Sequence, residues 1–292
     1  MKLSYFPGCT LKNQAKNFED SALCSLKKLG VEVKEIDRWN CCGTVFSMTT
    51  DDLIHHLAPI RNLIRTKEQN SNKLMTLCAM CYNTIKRANE RVKADQESLD
   101  IINDLMYREE IKYTGDVEVL HLLEILKNDI TFENVKQKVV KPLKGLKIAS
   151  YYGCYLVRPK EIGFDDLENP IVMDELVSAL GGNPIDFPFK TECCGAYETV
   201  DRPDIIANRT YQILSSAKNY GADAVAVSCP LCFFNLDARQ KETQKKFPEF
   251  KNIPILYFSQ LMALALDCDE ESMKFNLHYI DPKPLLKEKG LI

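Results

Sequence analysis

An ordered set of five cysteines that occurs twice constrains this chain more than any other feature. Cys9, Cys41-Cys42-Gly43 and Cys78-Ala79-Met80-Cys81 form the first set. Cys154, Cys193-Cys194-Gly195 and Cys229-Pro230-Leu231-Cys232 form the second, in the same order. The spacing from vicinal pair to Cys-x-x-Cys is nearly identical in the two copies. A glycine precedes the first cysteine each time (Gly8, Gly153), with aromatics just upstream (Tyr5-Phe6, Tyr151-Tyr152). Self-similarity on this scale means a duplicated unit. A length of 292 residues gives each copy enough chain to bury its own core. The copies are expected over residues 1–140 and 141–292, with the boundary in the lysine-rich stretch Lys138 to Lys147, which Pro142 and Gly145 interrupt.

Within each copy, apolar runs of strand length alternate with helical periodicity. Strands are expected over Lys2 to Phe6, Val31 to Ile36 and Lys73 to Leu77, and again over Leu146 to Ser150, Asn183 to Phe187 and Ala224 to Val227. Helices are expected over Asn13 to Leu29, from Asp51-Asp52 onward, from Tyr82 toward Tyr107, over Val172 to Leu180 and over Pro203 to Tyr220. The apolar run Ile253 to Leu266 reads as a buried strand followed by a helix. This alternation predicts an α/β fold: two similar domains with small parallel sheets flanked by helices, related by a pseudo-twofold axis. Ligands of such sheets sit beyond the carboxyl ends of strands, where Cys9, Cys78, Cys154 and Cys229 fall.

Twelve cysteines in a chain of this size, with no export signal, point to metal or redox chemistry rather than a disulfide scaffold. Zinc closes its shell with four ligands, so five cysteines per copy, two of them adjacent, exceed a simple tetrahedral site. Iron–sulfur clusters spread thiolates over several metal atoms. A Cys-x-x-Cys pair opening a helix gains from the helix N-terminus, which favours thiolate. Cys24 and Cys268 have no counterparts and are expected to be small buried hydrophobes.

The remaining composition excludes several classes. Net charge is −3, with 45% hydrophobic and 27% charged residues, which fits a globular protein and not a general nucleic-acid binder. No signal peptide or membrane span is legible, so the cytoplasm is the expected location. Dinucleotide and P-loop fingerprints are lacking, so electrons are expected from a partner. His55, His56, His121 and His278 show no ligand spacing. Trp39 is expected either to shield a metal group or to pack in the core. Lys86, Arg87 and Arg239, which follow the Cys-x-x-Cys pairs, are expected on solvated helix faces.

Two copies of Cys…Cys-Cys-Gly…Cys-x-x-Cys resemble the CCG-domain (cysteine-rich domain) family, and within it most of all the B subunits of heterodisulfide reductase from methanogenic archaea. Tyr5-Phe6-Pro7-Gly8-Cys9-Thr10, Cys229-Pro230-Leu231-Cys232 and Ile253-Pro254-Ile255-Leu256-Tyr257-Phe258 support the likeness over essentially the whole chain. The resemblance implies two noncubane 4Fe–4S clusters. One would be held by Cys9, Cys41, Cys42, Cys78 and Cys81, the other by Cys154, Cys193, Cys194, Cys229 and Cys232. It implies an oxidoreductase acting on sulfur groups, which reduces the mixed disulfide of coenzyme M and coenzyme B to two thiols at those clusters. It also implies partners: a ferredoxin-like iron–sulfur subunit and a flavin-bearing subunit, extending to a hydrogenase or formate dehydrogenase. Two rival readings are an electron-transfer subunit of the same family acting on another disulfide, a quinone or a hydroxy acid, and a non-catalytic metal-binding interaction module.

Overall fold

The computed structural model describes residues 1–44 and 52–292. Among the described residues, eight strands form two four-stranded parallel sheets. The first is ordered β2-β1-β3-β4, from β1 (Lys2–Phe6), β2 (Glu32–Glu35), β3 (Lys73–Thr76) and β4 (Glu118–His121). The second is ordered β6-β5-β7-β8, from β5 (Lys147–Tyr151), β6 (Asn183–Ile185), β7 (Ala224–Val227) and β8 (Ile255–Tyr257). The α/β architecture and its duplication therefore hold. Parallel neighbours require crossover segments, and the helices supply them. β7, Ala-Val-Ala-Val, is buried at every residue, as a central parallel strand covered on both faces should be.

Three local expectations change. Cys9 itself opens a helical turn, Cys9–Asn13, and the main helix begins only at Lys16, running to Lys28. The helix expected from Tyr82 toward Tyr107 starts at Ala79, stops at Ala94 and resumes as Gln96–Leu105. Asp95 leaves helical geometry between them, and its carboxylate accepts from the Glu97 amide as an N-cap. The edge strand β4 was not foreseen, because Glu118-Val-Leu-His is too short to show a period. Asp52 caps the short helix Leu53–His56 through the His55 amide, whereas Asp51 lies outside the described residues.

The two sheets are locked by exchanged packing. The Lys16–Lys28 helix of the first half lies on the Phe258–Ala265 helix that follows β8. Phe18 stacks on Tyr257 at 4.2 Å between ring centroids and meets Phe258 edge-on at 5.5 Å. Ser21 Oγ and Ser259 Oγ share a buried hydrogen bond of 2.6 Å. On the other side of the pseudo-twofold, Phe164 stacks on His121 and meets Tyr82 edge-on, each at 5.8 Å, and the Tyr82 hydroxyl donates to the Ile162 carbonyl at 2.7 Å.

One expectation about cysteine is corrected here. Cys24 and Cys268 are not isolated buried thiols but form a disulfide, with their Cα atoms 6.3 Å apart. The bond ties the Lys16–Lys28 helix to the chain just beyond the Phe258–Ala265 helix. The sequence separation of 244 residues hid the pairing; only the exchanged packing makes the two neighbours.

Candidate metal centre

The four strand-end cysteines occupy equivalent places. Cys9 follows β1 and Cys154 follows β5, each after a glycine with positive φ (Gly8, +75°; Gly153, +64°). Cys78 is the N-cap of the Ala79–Ala94 helix after β3, and Cys229 is the N-cap of the Pro230–Ala238 helix after β7. Cys81 and Cys232 thus lie in the first turn of a helix, beside free backbone N–H groups, yet the neighbouring thiols (Cys42 and Cys78 for one, Cys194 and Cys229 for the other) and burial push both above the ordinary thiol range. Pro230 fits the first helical position because its missing N–H is not needed there.

Within each half the sulfurs meet in pairs. Cys9 Sγ and Cys41 Sγ are 3.9 Å apart and Cys42 Sγ and Cys81 Sγ 3.5 Å. In the second half Cys194 Sγ lies 3.4 Å from Cys232 Sγ, and the Gly195 amide donates to Cys193 Sγ at 3.3 Å. Cys42, Cys78, Cys81, Cys194, Cys229 and Cys232 are buried, whereas Cys9, Cys41 and Cys193 are exposed. Each set therefore runs from a buried floor to an open rim. Among the described residues, no three His, Cys, Asp or Glu side chains enclose a single-ion site. A donor set spread in this way fits a polynuclear group.

Glycine makes the room. A Cβ on Gly8 would stand 3.0 Å from Cys81 Sγ, and one on Gly153 would stand 3.2 Å from Cys232 Sγ. Both glycines also hold left-handed backbone that other residues resist.

The thiol pairs divide their protons unevenly. The hydrogen bond from Cys41 is the main reason that Cys42 lies well below the ordinary thiol range, and Cys41 is pushed up in return. Cys193 is lowered to about 6, chiefly by its bond from Cys154, with help from the Gly195 amide and the Arg209 charge. Both vicinal pairs therefore contain one thiol primed to ionise, which is the form that binds metal.

Supporting side chains escaped the sequence reading. Arg209 donates from Nε and Nη2 to the Cys193 carbonyl, both at 3.1 Å, and pairs with Glu192 at 2.8 Å. Buried Asn235 donates to the Cys194 carbonyl at 3.1 Å. In the first half Thr84, also three residues past its Cys-x-x-Cys, reaches Thr44 Oγ1 at 3.3 Å, and Thr44 contacts Cys42 Sγ at 2.7 Å. Helix spacing from Cys81 and Cys232 was the available signal, since residues three apart share a face.

The other candidates separate. His121 is buried and held neutral, its pKa lowered to about 3 by desolvation; its ring bonds the Leu77 carbonyl at 2.7 Å and accepts from the Leu123 amide. His278 contacts Gln260 at 2.8 Å. Trp39 meets Phe6 edge-on at 5.9 Å and donates to Glu35. Lys86 donates to the Tyr82 hydroxyl at 2.7 Å, and Arg239 to the Thr199 carbonyl at 2.7 Å. Of these three cations, Arg87 is exposed and the other two are half-buried.

The two sets also touch each other. The Ala79 amide donates to the Ser228 carbonyl at 3.4 Å, and across that seam Cys229 pushes the Cys78 thiol up while Cys78 helps hold Cys229 down. A duplicated parallel α/β protein with two such facing cysteine sets is a cysteine-rich redox or metal-binding protein by its architecture. The chain belongs to the Cysteine-rich domain (CCG) family, which matches residues 3–86 and 148–237. It is 32% identical to the 8-methylmenaquinol:fumarate reductase membrane anchor subunit of Wolinella succinogenes, over 97% of this chain and 99% of that one. It is also 32% identical to the B subunit of the ferredoxin/F(420)H(2)-dependent CoB-CoM heterodisulfide reductase of Methanosarcina acetivorans, over 91% of this chain and 89% of that one. A solved structure of a hypothetical protein from Helicobacter pylori shares the fold at TM-score 0.76 and 15% identity; it matches over 95% of this chain and 51% of that one. Among the described residues no helix is long and apolar enough to cross a membrane.

Proposed function

We propose that the chain is the catalytic iron–sulfur subunit of a heterodisulfide reductase, which reduces the mixed disulfide of coenzyme M and coenzyme B to two thiols. The observation that carries this reading is the meeting of two complete cysteine sets at one seam, where the Ala79 amide beside Cys78 donates to the Ser228 carbonyl beside Cys229. Cys9, Cys41, Cys42, Cys78 and Cys81 hold one 4Fe–4S cluster of the noncubane kind, and Cys154, Cys193, Cys194, Cys229 and Cys232 hold the second. When bound, the clusters supply the two electrons that cleavage of a disulfide requires. Gly8 and Gly153 keep the space beside Cys81 and Cys232 open. Arg209 and Asn235 fix the backbone of the Cys193-Cys194 pair. The exposed rim at Cys9, Cys41 and Cys193 suits approach by a ferredoxin-like iron–sulfur subunit, itself served by a flavin-bearing subunit and a hydrogenase or formate dehydrogenase. The heterodisulfide reductase relatives, one of them named for dependence on ferredoxin or F(420)H(2), support this choice.

A second reading rests on the Wolinella relative, which matches this chain over nearly its whole length: an electron-transfer subunit serving a quinone-linked complex. One anoxic experiment separates the two. The iron-loaded chain is mixed with reduced viologen, and either the coenzyme M–coenzyme B disulfide or a water-soluble menaquinone analogue is added. Dye oxidation that depends on the disulfide supports the first reading. Oxidation that depends only on the quinone replaces it with the second.

A further inference from the structure

The two cysteine sets share a spacing but not an electrostatic setting. In the first half the Cys41 carbonyl accepts from the neutral side-chain amide of Asn40 at 2.8 Å. In the second the Cys193 carbonyl accepts twice from the charged guanidinium of Arg209, from Nε and from Nη2, each at 3.1 Å. The difference is built into the helix that flanks each vicinal pair. Beside Gly43 the Leu57–Glu68 helix presents Ala58, and beside Gly195 the Pro203–Asn219 helix presents Arg209.

The sulfurs differ in the same sense. Cys193 Sγ accepts from the Gly195 amide at 3.3 Å. Asn235 Nδ2 donates to Cys194 Sγ at 3.7 Å as well as to the Cys194 carbonyl at 3.1 Å. Cys42 Sγ instead meets the Thr44 hydroxyl at 2.7 Å, a group that can accept as well as donate. Positive charge and N–H donors beside the thiolates favour the more negative, reduced state of an iron–sulfur group and so raise its potential.

Two features oppose this. Glu192 pairs with Arg209 at 2.8 Å, but its side chain is 53% exposed against 27% for Arg209, so water screens the carboxylate more than the guanidinium. Cys9 is exposed where its counterpart Cys154 is half-buried. Water at Cys9 reorients freely, whereas Arg209 is a full charge held by two hydrogen bonds to a ligand's own backbone.

We propose that Arg209, supported by Asn235, gives the second cysteine set the higher reduction potential, so that the two sets fill in a fixed order. The first electron from a one-electron iron–sulfur donor settles at the set that begins with Cys154, and the second at the set that begins with Cys9. Those two electrons, with two protons from solvent, then convert a disulfide to two thiols. Arg209 is a positioning residue in this scheme, since it acts through Cys193 and not on the substrate. The inference rests on the reading above in placing one cluster at each set.

The test is an anoxic potentiometric titration of the iron-loaded chain with dithionite, followed by electron paramagnetic resonance. Wild type should give two midpoints, and Cys193→Ser, which keeps the first set intact, should retain the lower one. Arg209→Gln keeps a hydrogen-bond donor and loses the charge. It should shift the reduced-to-oxidised ratio of the higher couple about tenfold toward oxidised, which is about 59 mV for one electron, and leave the other couple in place. Arg209→Lys should restore the wild-type value. Glu192→Gln, which removes only the counter-charge, should raise the higher midpoint. Lys144→Gln, which removes an exposed charge elsewhere, should move neither. Equal midpoints in wild type, retention of the higher midpoint by Cys193→Ser, or midpoints that ignore both Arg209→Gln and Glu192→Gln would each overturn the proposal. Iron content reports loading, and Glu192→Gln decides alone if Arg209→Gln loses iron. Fewer than two clusters in wild type would overturn this proposal and the two-cluster reading together. The expected shifts in a chain that turns over no disulfide would reject the catalytic reading and leave the role of Arg209 standing.

Discussion

The backbone amide of Ala79 donates to the carbonyl of Ser228 at 3.4 Å, so the two helices that begin with Cys-x-x-Cys start against each other. Their dipoles both point positive ends at the seam, where Cys78 and Cys229 are the two N-caps. One helix start in each half is therefore shared by both, and each half's chemistry should be felt by the other while each holds its own ligands.

Cys193→Ser tests that division. It removes a rim sulfur of the second set and leaves all of the first. Bound iron should fall to about half of the wild-type value, with turnover lost and the remaining electron paramagnetic resonance signal that of the first half. Full activity in this variant would contradict a two-cluster site.

Gly8→Ala should disturb the first set through sterics alone. The added Cβ would sit 3.0 Å from Cys81 Sγ on a backbone with φ of +75°. Gly30→Ala is the matched control, since Gly30 has φ of +76° and nothing within 4 Å. Both variants should lose about 1–2 kcal/mol from left-handed backbone. Only Gly8→Ala should also lose iron from the first half, as read by metal analysis.

The Cys24–Cys268 bond closes a loop of most of the chain, and removing it should cost about 2–4 kcal/mol. Cys24→Ser should lower the denaturant midpoint of protein kept oxidised, and a strong thiol reductant should bring wild type down to the variant. Iron content should stay unchanged, because neither cysteine belongs to the two sets.

Asp237 supplies a pH test. It is buried, accepts from the amides of Tyr279 at 2.7 Å and Ile280 at 3.2 Å, and has its pKa raised by desolvation to about 7. The folded state therefore keeps a proton that the unfolded state releases near pH 4. Stability from this group is fully present below about pH 4, declines as pH rises toward 7, and is gone once pH has passed through the folded pKa. Relative to Asp237→Asn, wild type should gain about 1.4 kcal/mol between pH 8 and pH 6, the equivalent of one pKa unit, in paired denaturation curves.

The duplication, the alternation of strand and helix, and the placing of Cys9, Cys78, Cys154 and Cys229 at strand ends were all legible in the order of residues. These are local or periodic signals: Lys2–Phe6 and Ala224–Val227 are strands because their apolar runs are short, β-rich and bounded by turn residues. What no local signal carried was proximity across the fold. Cys24 finds Cys268, Lys86 turns onto Tyr82 while neighbouring Arg87 stays exposed, and Ala79 meets Ser228. Each depends on how one half docks on the other, and docking is set by the summed shape of buried faces such as Phe18 on Tyr257. That shape exists only once both sheets have formed, so the tertiary structure alone decided which side chains share a site.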